Sequence, residues 1–241
     1  SSGFKSGLFN ALFSPGPNTA VKPEELTSYE VGLKSTFMDQ RARLNLSGFY
    51  YDYKGVQYQS FTGSSSVILN APKAEAYGGE AELALLLIDN LDLRAGLSYL
   101  HTEFTDTTLA PSYPPGPLGA GVGIIVDAKG NKLQRAPEYT LDLGATYKIA
   151  TSYGEWAANV TYYYNDGFFW ETDNRINQPS YELVNASLTW TSPDKAYDVR
   201  FWGKNVFGQH YTTAGVTGGG SVESFVAGAP ATYGVTLGAH F

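Results

Sequence analysis

The stretch YGVTLGAHF, residues 233–241, alternates strictly between two kinds of side chain. Its odd positions carry apolar or aromatic side chains: Tyr233, Val235, Leu237, Ala239 and Phe241. Its even positions carry only glycine, threonine and histidine. Because successive side chains of a β-strand point to opposite faces, this period of two predicts a strand with one apolar and one polar face.

The same alternation recurs along the chain. In residues 139–149 (YTLDLGATYKI) the odd positions are apolar, and the even positions are threonine, aspartate, glycine or lysine. Residues 91–99 (LDLRAGLSY) and 29–34 (YEVGLK) repeat the pattern. A chain built from many such segments is predicted to be all-β.

The composition indicates where such strands lie. Aromatic residues make up 15% of the 241 residues, with 18 tyrosines among them, yet the mean hydropathy is only −0.21. A membrane-spanning helix needs about 20 apolar residues in a row, whereas the longest apolar run here is residues 83–88. In the strands of a transmembrane β-barrel, apolar residues that face lipid alternate with polar residues that face the interior, so the average hydropathy stays modest. The composition therefore favours an antiparallel transmembrane β-barrel.

Strand lengths support the same class. The alternating segments predict nine strands, at residues 27–38, 41–58, 67–88, 91–106, 133–149, 155–170, 180–191, 196–211 and 231–241. Several exceed the five or six residues common in globular proteins and reach the length of about 9–11 that crosses a bilayer at a tilt. Soluble β-sandwiches and β-propellers also alternate, but they use shorter strands with turns every 8–12 residues.

The connections between these strands alternate between short and long. Tight links are predicted at residues 38–41, 89–90, 150–154 and 192–195. Long links rich in Gly, Pro, Ser and Thr are predicted at residues 59–66, 107–132, 171–179 and 212–230. Outer-membrane barrels have short periplasmic turns and long extracellular loops. We therefore expect the long links to be extracellular and the C-terminus to be periplasmic.

This assignment divides the chain into two parts. Residues 1–26 are expected to be the tail of an extracellular loop, and residues 27–241 the C-terminal portion of a barrel. Nine is an odd number, whereas bacterial single-chain barrels have even counts and leave no open edge in lipid. The sequence is therefore expected to be a partial barrel, and the strand at 231–241 should pair with a strand outside it. The N-terminus also lacks the pattern of a signal peptide.

Several short motifs resemble the C-terminal barrel of TonB-dependent receptors. They follow one another in order: GFKSGLFN at 3–10, KPE at 22–24, SYEVGLK at 28–34, NA at 70–71, AEAYGGE at 74–80, RAPEY at 135–139, and KNVF at 204–207 with Tyr211. None is a strict motif alone, but together they cover nearly the whole chain. The resemblance identifies the family more strongly than the substrate.

The resemblance implies a barrel of 22 strands, of which this chain would supply the last nine. It also implies an N-terminal plug domain, a TonB-contacting segment ahead of the plug, and the remaining strands, none of which this sequence contains. The implied function is TonB-dependent uptake of a scarce ligand across the bacterial outer membrane, by default a ferric siderophore. Cobalamin, haem, saccharides and aromatic degradation products remain open, as do a passive diffusion porin and a split barrel that pairs with another chain.

The terminal alternation with a final aromatic residue resembles the signal by which the barrel assembly machinery recognises outer-membrane barrels. Tyr233, Val235, Leu237 and Phe241 would carry this signal. The other expected partners are outer-membrane lipid and lipopolysaccharide, the plug, the TonB complex and a small-molecule ligand. The net charge of −7 provides no basic surface for nucleic acid.

No catalytic or metal site is predicted. His101, His210 and His240 are dispersed, and the chain has no cysteine, so the spacing of a metal site is missing. Carboxylates such as Glu80 and Glu82 lie on polar strand faces, where charge inside the barrel explains them. We therefore expect no enzyme activity and no cofactor.

Consecutive aromatic residues near the expected outer ends of strands are the remaining candidates for a site. Most should belong to the interfacial aromatic girdle. Neighbours on a strand point to opposite sides, however, so some must face the inside of the barrel, where rings could stack on a ligand. The candidate ligand-binding residues are Tyr51, Tyr163, Phe169 and Trp170.

Overall fold

A computed structural model describes residues 1–10, 20–62, 65–116, 122–218 and 222–240. The strands are β1 (Ser2–Lys5), β2 (Leu8–Phe9), β3 (Ala20–Val21), β4 (Glu24–Phe37), β5 (Ala42–Thr62), β6 (Ser65–Ile88), β7 (Leu91–Phe104), β8 (Leu109–Ser112), β9 (Ile124–Asp127), β10 (Tyr139–Thr151), β11 (Gly154–Phe169), β12 (Asn177–Thr191), β13 (Tyr197–Lys204), β14 (Thr212–Gly218), β15 (Val222–Ala227) and β16 (Thr232–Ala239). Among the described residues no helix is long and apolar enough to cross a membrane.

Ten strands form one antiparallel sheet in the order β1-β4-β5-β6-β7-β10-β11-β12-β13-β16. Each strand pairs with the next one in this order, so the sheet is a meander, and within the described ranges neither edge has a further partner strand. The predicted all-β antiparallel fold is confirmed, and all nine predicted strands lie in this sheet. The short links form one end of the sheet and the long links the other; we call these the short-turn end and the long-loop end.

Residues 1–26, expected to be loop, are not loop throughout. Strand β1 pairs with the start of β4, from Ser2 opposite Thr27 to Lys5 opposite Glu24, and β2 pairs with β3. The described part of the chain therefore contributes ten strands to the sheet rather than nine. The segment was missed because four residues are too few to show a period of two.

Other predicted boundaries also need correction. The strand predicted at 133–149 begins at Tyr139, because Arg135 takes a left-handed conformation with φ of 55° that interrupts extended backbone. The strand predicted at 196–211 ends at Lys204, because Asn205 is also left-handed. The long links predicted at 107–132 and 212–230 are not irregular throughout, since they contain the β8–β9 and β14–β15 hairpins.

The two faces of the sheet follow the alternation seen in the sequence. On the apolar face Val31, Leu97 and Leu237 are 75%, 50% and 75% exposed. On the opposite, polar face polar side chains lie side by side across strands: Ser47 is opposite Glu80, Glu80 is opposite Ser98, and Ser98 is opposite Thr140. A wall with one apolar exposed face and one polar face is the cross-section of a barrel that stands in lipid.

Buried side chains gather at the long-loop end rather than behind the sheet. The cluster consists of Val56, Tyr58, Ala71, Ala74, Phe104, Ala110 and Ala128. The Tyr58 hydroxyl donates to the Leu109 carbonyl over 2.7 Å, which ties the β8–β9 hairpin to β5. The hairpins of the long links are therefore packed structure on top of the wall, and they shape the space above its polar face.

Candidate functional site

Tyr51 lies on the polar face of β5 within a row of aromatic side chains. Its ring stacks on that of Phe49 at 4.9 Å between centroids and meets Tyr53 edge-on at 6.4 Å. Its hydroxyl donates to Glu30 Oε1 over 3.2 Å. A cavity of about 560 Å³ opens beside the row and is also lined by Thr102 and Gln134. This volume lies in the range of small-molecule sites.

The position of Phe49 depends on a glycine on the next strand. Phe49 lies opposite Gly78, and a Cβ at Gly78 would come within 3.1 Å of the Phe49 Cζ atom and 2.0 Å of the Tyr99 carbonyl oxygen. Any side chain at this position would displace both the ring and the strand β7 backbone. Gly78 therefore makes room for the aromatic row.

Tyr163 also lies on the polar face, on β11. Its hydroxyl accepts a hydrogen bond from Asn165 Nδ2 over 2.9 Å, and its ring lies 5.9 Å from that of Tyr181. Tyr181 in turn stacks on Tyr211 at 5.1 Å with an interplanar angle of 9°. Beside Tyr163 lies a second cavity of about 890 Å³, which is also lined by Gly96 and Asn185.

Tyr51 and Tyr163 do not share one pocket. Strands β5 and β11 are separated by β6, β7 and β10 in the sheet, which is about 19 Å at the usual strand spacing. The polar face thus carries two aromatic clusters, each with its own cavity, that could hold different parts of one bulky ligand or different ligands.

Phe169 and Trp170 lie at the end of β11, on the connection to β12. Phe169 is opposite Asn177. Trp170 is only 5% exposed: the Arg135 guanidinium lies 5.2 Å from its ring, and a Cβ at Gly215 of β14 would come within 2.6 Å of it. Unlike Tyr51 and Tyr163, Trp170 is covered by protein.

Sequence reasoning missed several residues of these clusters. Phe49 and Tyr53 have the same parity as Tyr51, so extending the alternation rule from Tyr51 by two residues in each direction would have found them. The predicted strands include Gln134 and Tyr211 at their ends, but in the structure these residues lie in the connections before β10 and β14, where no periodicity indicates orientation. Their places follow only from the packing of the long links.

His101 and His240 have their own partners on neighbouring strands. His101 Nε2 is 3.7 Å from Glu103 and its ring stacks on Tyr77 at 4.7 Å, while His240 Nε2 is 2.7 Å from Asp198. Within the described ranges no group of three or more His, Cys, Asp or Glu side chains could hold a metal ion. These histidines are accounted for by their neighbours on the strands.

The terminal strand β16 lies at one edge of the sheet. Among the described residues it pairs only with β13, so its other edge is open. Tyr233, Val235 and Leu237 lie on the apolar face and are 67%, 56% and 75% exposed. Phe241 lies outside the described residues. An open-edged strand with an apolar face requires both a partner strand and lipid.

An antiparallel meander with an apolar outer face and a polar, tyrosine-rich inner face is part of the wall of a transmembrane β-barrel. The chain belongs to the TonB-dependent receptor β-barrel family, since the sequence model described as "TonB dependent receptor-like, beta-barrel" matches residues 1–206. The family predicted from the motifs is confirmed. It is a family of outer-membrane receptors.

Similar proteins agree with this assignment. The pesticin receptor of Yersinia pestis is 24% identical over 228 residues, which are 93% of this chain and 30% of that protein. The crystal structure of the ferric yersiniabactin uptake receptor FyuA from Yersinia pestis superposes with a TM-score of 0.80 at 20% identity, covering 98% of this chain and 33% of that one. The siderophore receptor PiuA from Acinetobacter baumannii gives 0.68 at 21% identity, covering 90% and 28%. At these identities the structures show the fold alone, and the chain spans about a third of the relatives it matches.

Proposed function

We propose that this chain is a C-terminal part of the barrel wall of a TonB-dependent receptor that imports a ferric siderophore across the outer membrane. The match of the family sequence model over residues 1–206 carries this proposal. One similar structure is described as a ferric yersiniabactin uptake receptor and another as a siderophore receptor, and the two tyrosine clusters supply polar aromatic surface on the polar face of the sheet.

The whole receptor would add the parts that this chain lacks. A plug domain would fill the barrel and, through a preceding segment, contact the TonB complex, and further strands would close the edges at β1 and β16. The long-loop end would face the medium, beside lipopolysaccharide, and the C-terminus would face the periplasm. This orientation follows from the usual difference in loop length between the two sides of outer-membrane barrels.

Uptake by cells tests the proposed function. The intact receptor is expressed in cells that lack their own siderophore receptors, and import of radioactive iron bound to a panel of siderophores is measured. We expect saturable import of at least one siderophore, and its loss in an otherwise identical strain without TonB. Import that does not need TonB, together with ion conductance in planar bilayers, would instead indicate a passive porin. Co-purification of a second polypeptide that completes the barrel would indicate a split barrel.

We further propose that Tyr51, Tyr163, Phe169 and Trp170 contact the ligand. For the two tyrosines on the polar face, Tyr51→Ala and Tyr163→Ala in the intact receptor are each expected to weaken siderophore binding roughly 2- to 10-fold, the equivalent of one lost ring contact. Fluorescence titration of the purified receptor measures the affinity.

Neighbouring tyrosines provide matched controls. Tyr50 and Tyr164 adjoin the two candidates and, by the alternation of strand side chains, point to the opposite face. Tyr50→Ala and Tyr164→Ala should leave affinity unchanged. Equal losses in the controls and in the candidates would show that the effect comes from damage to the strands and not from ligand contact.

The terminal strand is proposed to bind the barrel assembly machinery through Tyr233, Val235, Leu237 and Phe241. The exposed apolar side chains of β16 support this role, because its open edge can accept a strand from another protein before the barrel closes. Lower outer-membrane levels of Val235→Asp than of Thr236→Asp, on the opposite face, would agree with it.

A further inference from the structure

The β14–β15 hairpin lies over the connection between β11 and β12 and is fastened to it by one arginine. The Arg175 guanidinium forms an ion pair with Glu223 on β15 and donates to Thr217 Oγ1 on β14 over 2.6 Å. The same side chain lies 3.7 Å from Asp173 on its own connection. The charged side chain of Arg175 thus links the β11–β12 connection to the β14–β15 hairpin.

A carboxylate adds a second fastening beside it. Glu171 accepts from the Thr217 backbone N–H and hydroxyl, each over 2.8 Å, and Gln178 Oε1 accepts from the Thr212 backbone N–H over 2.8 Å. Burial raises the pKa of Glu171, and the neighbouring Asp173 adds to this rise, whereas the two hydrogen bonds from Thr217 and, more weakly, Arg175 lower it. Burial therefore makes the ionised form of Glu171 less favourable in free energy, although its hydrogen bonds hold it in place.

Trp170 lies beneath this hairpin. The backbone of β14 reaches the indole at Gly215, where a Cβ would come within 2.6 Å of the ring, and the Phe168 ring packs edge-on against it at 4.8 Å. The hairpin therefore packs against the Trp170 indole, which is also contacted by Phe168 and Arg135.

Two buried polar atoms of the segment 170–175 lack a partner. Within the described part of the chain, Trp170 Nε1 and Thr172 Oγ1 make no hydrogen bond, whereas Asp173 Oδ2 and Arg175 Nε, which also make none, form an ion pair with each other. Each unsatisfied buried group costs free energy, and water would satisfy both atoms if the hairpin lifted. The charged contacts therefore favour the closed hairpin, and the two unsatisfied atoms favour its opening.

We propose that the β14–β15 hairpin is a lid, that Arg175 is its latch, and that lifting the lid exposes Trp170 as an aromatic contact for a planar or aromatic ligand. The lid itself rests on the contacts of this chain. Only the ligand role of the exposed indole rests on the proposed function.

Two measurements on the intact receptor test the lid. In hydroxyl-radical footprinting, Arg175→Gln should raise oxidation of Trp170 about tenfold, because the latch loses its charged contacts, while Trp202 on β13 serves as the internal reference and stays unchanged. Glu223→Gln, which removes one of those contacts, should give a smaller rise. Arg200→Gln is the matched control, since Arg200 has no side-chain bond among the described residues.

Hydrogen exchange of the unaltered receptor tests whether the lid opens. The amides of 212–218 should exchange at least about tenfold faster than those of 141–147 in the wall, because opening of the lid does not require the barrel to unfold. Unchanged Trp170 oxidation in Arg175→Gln would overturn the latch, as would a rise shared by Trp202. Lid amides that exchange as slowly as the wall would overturn the lid. Siderophore uptake is measured separately, so either proposal can fail without the other.

Discussion

Leu97→Arg is expected to lower the free energy of unfolding of the intact barrel by about 2–4 kcal/mol, the cost of an arginine on the lipid face near the bilayer midplane. Leu97 lies halfway along β7, is 50% exposed on the apolar face, and has Ala81 and Leu141 beside it on the neighbouring strands. The guanidinium would have no partner there except lipid. Urea titration of the receptor in lipid vesicles measures the change.

The adjacent residue gives a matched control for this substitution. Ser98 points to the polar face and lies opposite Glu80, so the guanidinium of Ser98→Arg would meet water and a carboxylate. Ser98→Arg should therefore cost less than about 1 kcal/mol, in the range of ordinary surface substitutions. Equal destabilisation by both substitutions would contradict the assignment of the two faces.

Gly78→Ala is expected to destabilise the barrel by roughly 1–3 kcal/mol, the usual cost of overpacking, and to weaken ligand binding at the Tyr51 cluster as well. A methyl group at this position would lie 2.0 Å from the Tyr99 carbonyl oxygen. Strands β6 and β7 would have to separate at that point, and Phe49, whose ring stacks on Tyr51, would have to move. Urea titration and fluorescence titration with ligand measure the two effects.

Gly32→Ala is the control for Gly78→Ala. The nearest atom to a Cβ at Gly32 is the Leu46 carbonyl oxygen at 3.5 Å, which is ordinary contact. Both substitutions remove the same excess backbone freedom from the unfolded chain, so only the close approach at Gly78 distinguishes them. Gly32→Ala should be neutral or slightly stabilising, and an equal loss of stability in both variants would remove the role given to Gly78.

The alternation of side chains along the strands predicts which tyrosines point to the polar face, whereas the sequence of the connections gives no such information. Tyr50 and Tyr51 are chemically identical neighbours, yet their parity with Tyr29 and Glu30 on the adjacent strand assigns them to opposite faces. The same rule assigns Tyr162 and Tyr163. Parity says nothing about what covers Trp170, because Arg135 and Gly215, which contact its ring, are 35 and 45 positions away in the chain.

The sequence by itself determined the class of fold, the family and the face to which each strand residue points. These follow from the period of two, which is a local property of extended backbone and does not depend on distant residues. The tertiary structure alone decided that β1 extends the sheet, that Tyr51 and Tyr163 line separate cavities, and that the β14–β15 hairpin covers Trp170. Each of these depends on contacts between residues far apart in the chain, such as Arg175 and Glu223, and no local pattern encodes such contacts.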